Sequence, residues 1–337
     1  MDLRFEQLQA WLHGLNRFRE GELSLPVPAS SDASFRRYFR CQFRHAGGEQ
    51  SWIIMDAPPA HEDCRPFIAI SAELAALGLN VPIVAEQDLT QGFLLLSDLG
   101  TTTYLSALNE STAEHLYSDA IRALVRLQTK ATSDHLPIYD TAMLSREMDL
   151  FTDWLGERHC ELSMNASERQ AWSRVQSELI HSALSQPQVY VHRDYHSRNL
   201  MVTGANNPGI LDFQDAVDGP LTYDAVSLLR DCYIVWPEDQ VREWQRQYFL
   251  MLCQTGHLTQ SEWSGFLQSM DWMGIQRHLK ASGIFARLYH RDGKDGYLND
   301  IPATLNYIIQ VGRQYHQMKD LVGWTEKLAT RYSEIKL

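Results

Sequence analysis

The run Tyr190-Val191-His192-Arg193-Asp194-Tyr195-His196-Ser197-Arg198-Asn199-Leu200, followed by Ile210-Leu211-Asp212-Phe213, holds two carboxylates and an amide at a spacing that suits phosphoryl transfer. That reaction needs a group to accept the proton of the attacking hydroxyl and hard oxygen ligands for Mg²⁺. Asp194 fits the first role, and Asn199 with Asp212 fits the second. His192 is expected to orient the loop through a hydrogen bond rather than to react.

Elements around the run must bring these groups together. Residues 189–191 and 199–202 read as short buried strands, and Gly204-Ala205-Asn206-Asn207-Pro208-Gly209 as the turn after the second. Asn199 and Asp212 are then expected on either side of one hairpin. Upstream, Phe5, Leu8, Leu12 and Leu15 have helical spacing, while 23–27, 35–43 and 51–55 read as strands. The small residues Ser31, Asp32, Ala33 and Ser34 compose a loop able to approach phosphates. In the strand after it, Phe35, Arg37, Phe39, Cys41 and Phe43 share one face by alternation, so Arg37 needs an anionic partner there, a nucleotide phosphate or a carboxylate. Arg36 and Arg40, on the other face, read as solvated charges.

A helix opened by proline is predicted over 66–77 and contains Glu73; strands follow over 81–89 and 92–99. Ser97 and Asp98 then lie at a hinge whose backbone could meet adenine. Beyond residue 100 the pattern is helical at 113–129, 142–155, 168–184, 220–236, 238–253, 261–290 and 301–319. Strands first and helices afterwards predict an α+β fold, with a small β-rich nucleotide-binding lobe over 1–99 and a larger helical lobe over 100–337 that carries the catalytic loop, metal site and acceptor site.

The chain has 337 residues, ordinary hydrophobic content at 44%, and a formal net charge of −12. That balance argues against the nucleic-acid backbone as a partner but not against a nucleotide neutralised locally by cations and Mg²⁺. No basic start precedes an apolar run and no stretch has the length of a membrane span, so a cytoplasmic protein without membrane contact is expected. The cysteines Cys41, Cys64, Cys160, Cys232 and Cys253 lack metal-ligand spacing and read as buried thiols.

With these motifs in view, the chain resembles the aminoglycoside phosphotransferase and choline kinase superfamily, whose bilobal fold is related to protein kinases. Within it, Ser31-Asp32-Ala33-Ser34-Phe35-Arg36-Arg37-Tyr38-Phe39-Arg40, Met55-Asp56-Ala57-Pro58-Pro59, Leu211-Asp212-Phe213-Gln214-Asp215-Ala216 and Gln276-Arg277-His278-Leu279-Lys280 look like the bacterial anomeric N-acetylmuramate/N-acetylglucosamine kinases. The resemblance implies ATP- and Mg²⁺-dependent phosphorylation of the C1 hydroxyl of an N-acetylated amino sugar, in a route that recycles peptidoglycan sugars. Tyr195, His196 and Asp215 are candidates to line the acceptor pocket. Arg230, Arg277 and Lys280 are candidates to meet the carboxylate of N-acetylmuramate.

One departure is physical. Kinases usually hold the nucleotide phosphates with a strand Lys paired to a helix Glu. Residues 51–56 contain no Lys, although Glu73 stands where the helix carboxylate falls, so Arg37 or Arg40 substitutes or the task passes to metal and backbone. The residues alone leave open a kinase for another small hydroxyl compound, such as an amino alcohol or an aminoglycoside, and a nucleotide-binding pseudokinase.

Overall fold

The computed structural model describes residues 2–31 and 35–335. In chain order its helices and strands begin with α1 (Leu3–Gly14), β1 (Gly21–Leu23), β2 (Val27–Ser31), β3 (Arg37–His45), β4 (Gly48–Asp56), α2 (Cys64–Ala76), β5 (Val84–Asp88) and β6 (Phe93–Ser97). They continue with α3 (Tyr104–Ala107), α4 (Ala113–Lys130), α5 (Thr141–Leu150), α6 (Ala166–Leu184), β7 (Gln188–Val191), β8 (Leu200–Met201), β9 (Gly209–Ile210) and β10 (Val217–Pro220). Helices α7 (Tyr223–Leu229), α8 (Glu238–Gln254), α9 (Trp263–Asp292), α10 (Ile301–Gly312) and α11 (Lys319–Glu334) complete the chain. The fold is α+β, as the sequence predicts.

Two compact units emerge: Met1–Thr102 with Leu200–Gln214, and Thr103–Asn199 with Asp215–Leu337. The sequence reading keeps everything beyond residue 99 together, whereas residues 200–214 join the first unit. The physical reason is backbone pairing: the Ile210 amide donates to the Asn80 carbonyl at 2.7 Å, and the Val202 amide to the Thr102 carbonyl at 2.8 Å. Strands β8 and β9 pair antiparallel, with Leu200 opposite Ile210.

In the first unit the sheet runs β1-β3-β4-β6-β5, with β2 added beside β3. One face carries Phe39, Cys41, Phe43, Ile54, Phe93 and Leu95, and α1 covers it with Leu8 and Leu12. Those leucines lie four residues apart, hence on one helix stripe, and burying each stabilises by about 1.5–3 kcal/mol. The Asp2 side chain caps α1 by accepting from the Phe5 amide at 3.1 Å. Helix α2 starts at Cys64, ahead of the proline-based expectation, because the Asp63 carboxylate caps it by accepting from the Arg65 amide. Gly78, at φ 75°, follows its end, a left-handed position that glycine adopts at low cost.

The second unit is helical, with β7 and β10 paired antiparallel so that Val191 faces Val217. Helix α9 is its spine. A side chain at Gly283 would lie 2.3 Å from the Leu150 backbone carbon, so only glycine lets α9 approach α5 this closely. The helix predicted over 142–155 is α5 continued by a π-helical stretch, Phe151–His159. The helix predicted over 220–236 shrinks to α7, since Asp231 turns to hold the loop described below. No helix among the described residues is long and apolar enough to cross a membrane, and the cysteines are free, all but the half-exposed Cys253 buried.

Candidate active site

The loop between β7 and β8 is held by its backbone. The carboxylate of Asp224, on α7, accepts the amides of His192 at 2.7 Å and Arg193 at 3.0 Å. This pairing fixes Arg193 at φ 76°, a left-handed conformation that costs a non-glycine residue about 1–2 kcal/mol. Burial pushes the Asp224 carboxyl up to about 6. Further along, Asp231 accepts from the amide of Ser197 at 2.9 Å and from its hydroxyl. His192 is fully buried and its Nδ1 accepts the Asp194 amide at 3.3 Å, the orienting role expected of it.

Asp194 is thus anchored through its main chain, whose carbonyl also accepts from the Asn199 side-chain amide at 3.1 Å and the His196 amide at 3.0 Å. Among the described residues, its carboxylate makes no hydrogen bond and no ion pair. Burial works to raise this carboxyl, but the surrounding cations, Lys280 foremost and Arg277 among them, hold it below the ordinary carboxylate range. A charged, half-buried acceptor with open lone pairs suits a group that takes a hydroxyl proton.

The cations of this unit are themselves engaged by other side chains. Glu147 on α5 accepts from Arg193 at 2.6 Å, pairs with Lys280 at 3.0 Å, and accepts from the Tyr139 hydroxyl. Lys280 also donates to the Tyr223 hydroxyl at 2.9 Å. Arg277 is almost completely buried and its Nε donates to the Ser227 hydroxyl. Arg230 makes a two-pronged pair with Glu238 at 2.6 and 2.7 Å. None of the predicted cations Arg230, Arg277 and Lys280 is a simply solvated surface charge. The sequence reading missed Glu147, Asp224 and Asp231; each is an ordinary helix or loop carboxylate in sequence, and only the tertiary packing gives it a partner.

Two predicted acceptor-side residues behave differently from expectation. Tyr195 is fully buried and its hydroxyl donates to the Ala120 carbonyl at 2.9 Å, so it is a core residue and does not line a pocket. His196 is half-buried beside Tyr233, with ring centroids 5.4 Å apart; its Nδ1 is buried without a hydrogen-bond partner among the described residues. Asp215 is exposed.

In the first unit, Arg37 shares the face of Phe39 and Cys41, as alternation requires, but that face is the one α1 covers. Its guanidinium binds the buried Asp56 carboxylate, through Nε at 2.9 Å and a second nitrogen at 2.6 Å, and also Asp2. Arg4 joins the same carboxylate at 2.7 Å. Arg37 therefore does not stand in for the strand lysine; its anionic partner is a carboxylate of its own unit. Arg36 pairs with Glu62 and Arg40 with Asp98, so neither is merely solvated. Arg40 lies across from Ile53 on the face opposite α1, and its guanidinium also donates to the Gly100 carbonyl at 2.8 Å.

Ser51 donates to the same Asp98 carboxylate, which the Arg40 pair holds below the ordinary range against the opposing effect of burial. Ser97 accepts the Ile83 amide at 2.8 Å. Glu73 lies half-buried on α2, and Ser31 ends β2 opposite Arg37. Asp32, Ala33 and Ser34 lie outside the described residues.

Asp212 belongs to the first unit and Asn199 to the second. Asp212 is exposed at φ 63°, with Gln214 donating to one of its oxygens at 2.7 Å. Asn199 turns its amide nitrogen to the loop, so its carbonyl oxygen is the end a cation would take. Among the described residues no cluster of three or more histidine, cysteine or acidic side chains is placed to hold a metal. Each of these oxygens is a hard donor of the kind Mg²⁺ takes, an ion that keeps several waters and completes its shell with substrate phosphates.

Comparison with known proteins bears on this arrangement. The model of the phosphotransferase enzyme family matches residues 27–263. A Pseudomonas putida protein named N-acetylmuramate/N-acetylglucosamine kinase is 47% identical over 317 residues, covering 92% of each chain. One of the same name from Pseudomonas aeruginosa is 45% identical over 317 residues, covering 91% of each. Among solved structures, a Plasmodium vivax ethanolamine kinase superposes with a TM-score of 0.63 over 90% of this chain and 87% of its own, at 11% identity, a likeness of fold of the protein-kinase type.

Proposed function

This chain belongs to the phosphotransferase enzyme family, and on that premise we propose that it transfers the γ-phosphoryl group of ATP to the C1 hydroxyl of N-acetylmuramate, N-acetylglucosamine or both. The products are the sugar 1-phosphate and ADP, which places the enzyme in the recycling of peptidoglycan sugars. The observation that carries the mechanism is the Asp194 carboxylate, fixed by its backbone yet making no hydrogen bond of its own among the described residues. Asp194 orients the C1 hydroxyl and accepts its proton as the oxygen–phosphorus bond forms. The choice of amino sugar rests on the names of relatives that match nearly the whole chain.

Asn199 and Asp212 are the residues that would hold Mg²⁺; bound there, the ion neutralises phosphate charge as it builds. The backbone at Ser31, residues Asp32, Ala33 and Ser34, Glu73 and the hinge residues Ser97 and Asp98 form the proposed nucleotide side; Arg37 and Arg40 are both engaged within their own unit, so phosphate holding passes to metal and backbone. His196 and Asp215 remain the proposed acceptor-side residues. Lys280 and Arg277 act chiefly on the charge of Asp194, since each is already engaged within its own unit. Catalysis comes mainly from positioning and charge neutralisation.

The test is to incubate the protein with ATP, Mg²⁺ and, separately, N-acetylmuramate, N-acetylglucosamine, choline and an aminoglycoside, and to locate transferred phosphate by phosphorus NMR. Phosphate on C1 of an amino sugar is the expected result. Phosphorylation of choline or the aminoglycoside alone, or no transfer to any acceptor, contradicts the reading.

A further inference from the structure

Glu147 lies outside the loop, and neither its sequence context nor the chemistry above assigns it a role. It is buried, and a buried carboxylate persists only when its charge is met. It is met twice, by Arg193 at 2.6 Å and Lys280 at 3.0 Å, with the Tyr139 hydroxyl as a third donor. Arg193 immediately precedes Asp194 and holds the strained φ of 76° on which the direction of the next residue depends. Its amide is fixed by Asp224, and its guanidinium by Glu147. Lys280, the second partner, is the foremost cation acting on Asp194.

The helix packing explains how one carboxylate reaches both. Leu150 lies three residues beyond Glu147 on α5, and Gly283 three residues beyond Lys280 on α9, so each pair shares a helix face. The close backbone approach at Gly283 and Leu150 brings those faces together. Glu147 thereby links the spine helix to the residue that aims the catalytic carboxylate.

We infer that Glu147 is a positioning residue for phosphoryl transfer: through the Arg193 guanidinium and the Lys280 ammonium it clamps the left-handed turn that directs Asp194 at the acceptor hydroxyl. The inference rests on the reading of Asp194 as proton acceptor. Glu147 is buried with its charge met inside its own unit, so its loss should slow the chemical step without weakening binding. A small misplacement of a reacting group costs on the order of 10²-fold in rate.

The experiment measures kcat and KM for both substrates in Glu147→Gln, in Arg193→Met and in the double variant, with thermal unfolding of each as a check on folding. The expected result is a kcat lowered on the order of 10²-fold with KM for ATP and sugar unchanged, and little additional loss when Glu147→Gln is placed on Arg193→Met. Should Glu147→Gln fail to fold, Glu147→Asp, which keeps the charge at shorter reach, takes its place with the same expected split. A lower melting temperature with wild-type kcat would reduce Glu147 to a structural ion pair and overturn the inference. So would a rise in KM that accounts for the whole loss, or full additivity with Arg193→Met. Asp194→Asn is run in parallel: if it keeps wild-type turnover, the fault lies with the reading of Asp194 rather than with the clamp.

Discussion

Strand β3 of the first unit and the loop after β7 of the second both present charged groups that the sequence marks for chemistry, and the two regions treat those charges in opposite ways. On β3 the guanidiniums are consumed locally: Arg37 by Asp56 and Asp2, Arg36 by Glu62, Arg40 by Asp98 and Gly100. In the loop the supporting charges are consumed, with Asp224 and Asp231 spent on backbone amides and Glu147 on two cations, while the Asp194 carboxylate is held in place and, among the described residues, left without a hydrogen bond. Charge type and spacing do not separate these cases. What separates them is whether the folded unit already satisfies the group, since a fully satisfied ion pair has little left for a ligand.

The largest expected effect sharpens that contrast directly. Asp194→Asn removes the open carboxylate at nearly constant volume, and turnover should fall about 10²–10⁴-fold with folding and ATP binding retained. Steady-state kinetics beside calorimetric ATP titration checks this, and near wild-type turnover would dissolve the distinction between the regions. Gly283→Ala comes next. The added carbon meets backbone that has no rotamer to yield, so overpacking should cost about 1–3 kcal/mol and pull Lys280 away from Glu147. Chemical denaturation should show the lost stability, and kcat should fall with it.

Asp212→Asn replaces a carboxylate by a poorer ligand for a hard cation. It should weaken nucleotide binding in Mg²⁺ by about 1.5–3 kcal/mol and leave binding of metal-free nucleotide unchanged; equal losses in both conditions would count against the metal role. Arg37→Ala should lower stability by only about 1 kcal/mol, because Arg37 is partly exposed and Arg4 stays on Asp56, and it should leave the KM for ATP alone. Arg40→Ala, on the opposite face, should leave that KM alone as well, because Asp98 and the Gly100 carbonyl already engage its guanidinium. A raised KM in either variant would restore that arginine as the lysine substitute.

The smallest effect concerns pH. Asp224 has its carboxyl raised to about 6 by burial, so the folded state retains a proton that the unfolded chain has already lost. Between pH about 4 and 6 this group makes stability decline as pH rises. Turnover moves the other way, because the ionised form holds the His192 and Arg193 amides more firmly. A severalfold rise of kcat with an inflection near pH 6, absent in Asp224→Asn, is the expected profile.

Much of this was legible in sequence where local pattern dictates the outcome. The α+β division, helices α4 and α6, and the alternation that puts Arg37 with Phe39 and Cys41 follow from periodicity, and His192 was rightly expected to orient the loop. The covering of that face by α1 was not legible, because alternation says which residues share a face and is silent on what lies over it. Tyr195 was misplaced for the same reason: adjacency to Asp194 fixes its position along the chain, while the direction of the turn is set by Arg193 and its distant partners Glu147 and Asp224. The join of residues 200–214 to the first unit depends on the Asn80 carbonyl, far away in sequence.

The most direct measurement is the ionisation of Asp194 itself, followed by carbon-13 NMR of the side-chain carboxyls, with Asp194→Asn to identify the signal. With Lys280 and Arg277 outweighing burial, the carboxylate should remain ionised as pH falls to about 4, the ordinary midpoint for aspartate. Titration with a midpoint above about 5 would mean that burial prevails over the cations, and the held but unspent carboxylate would not be the base this account requires.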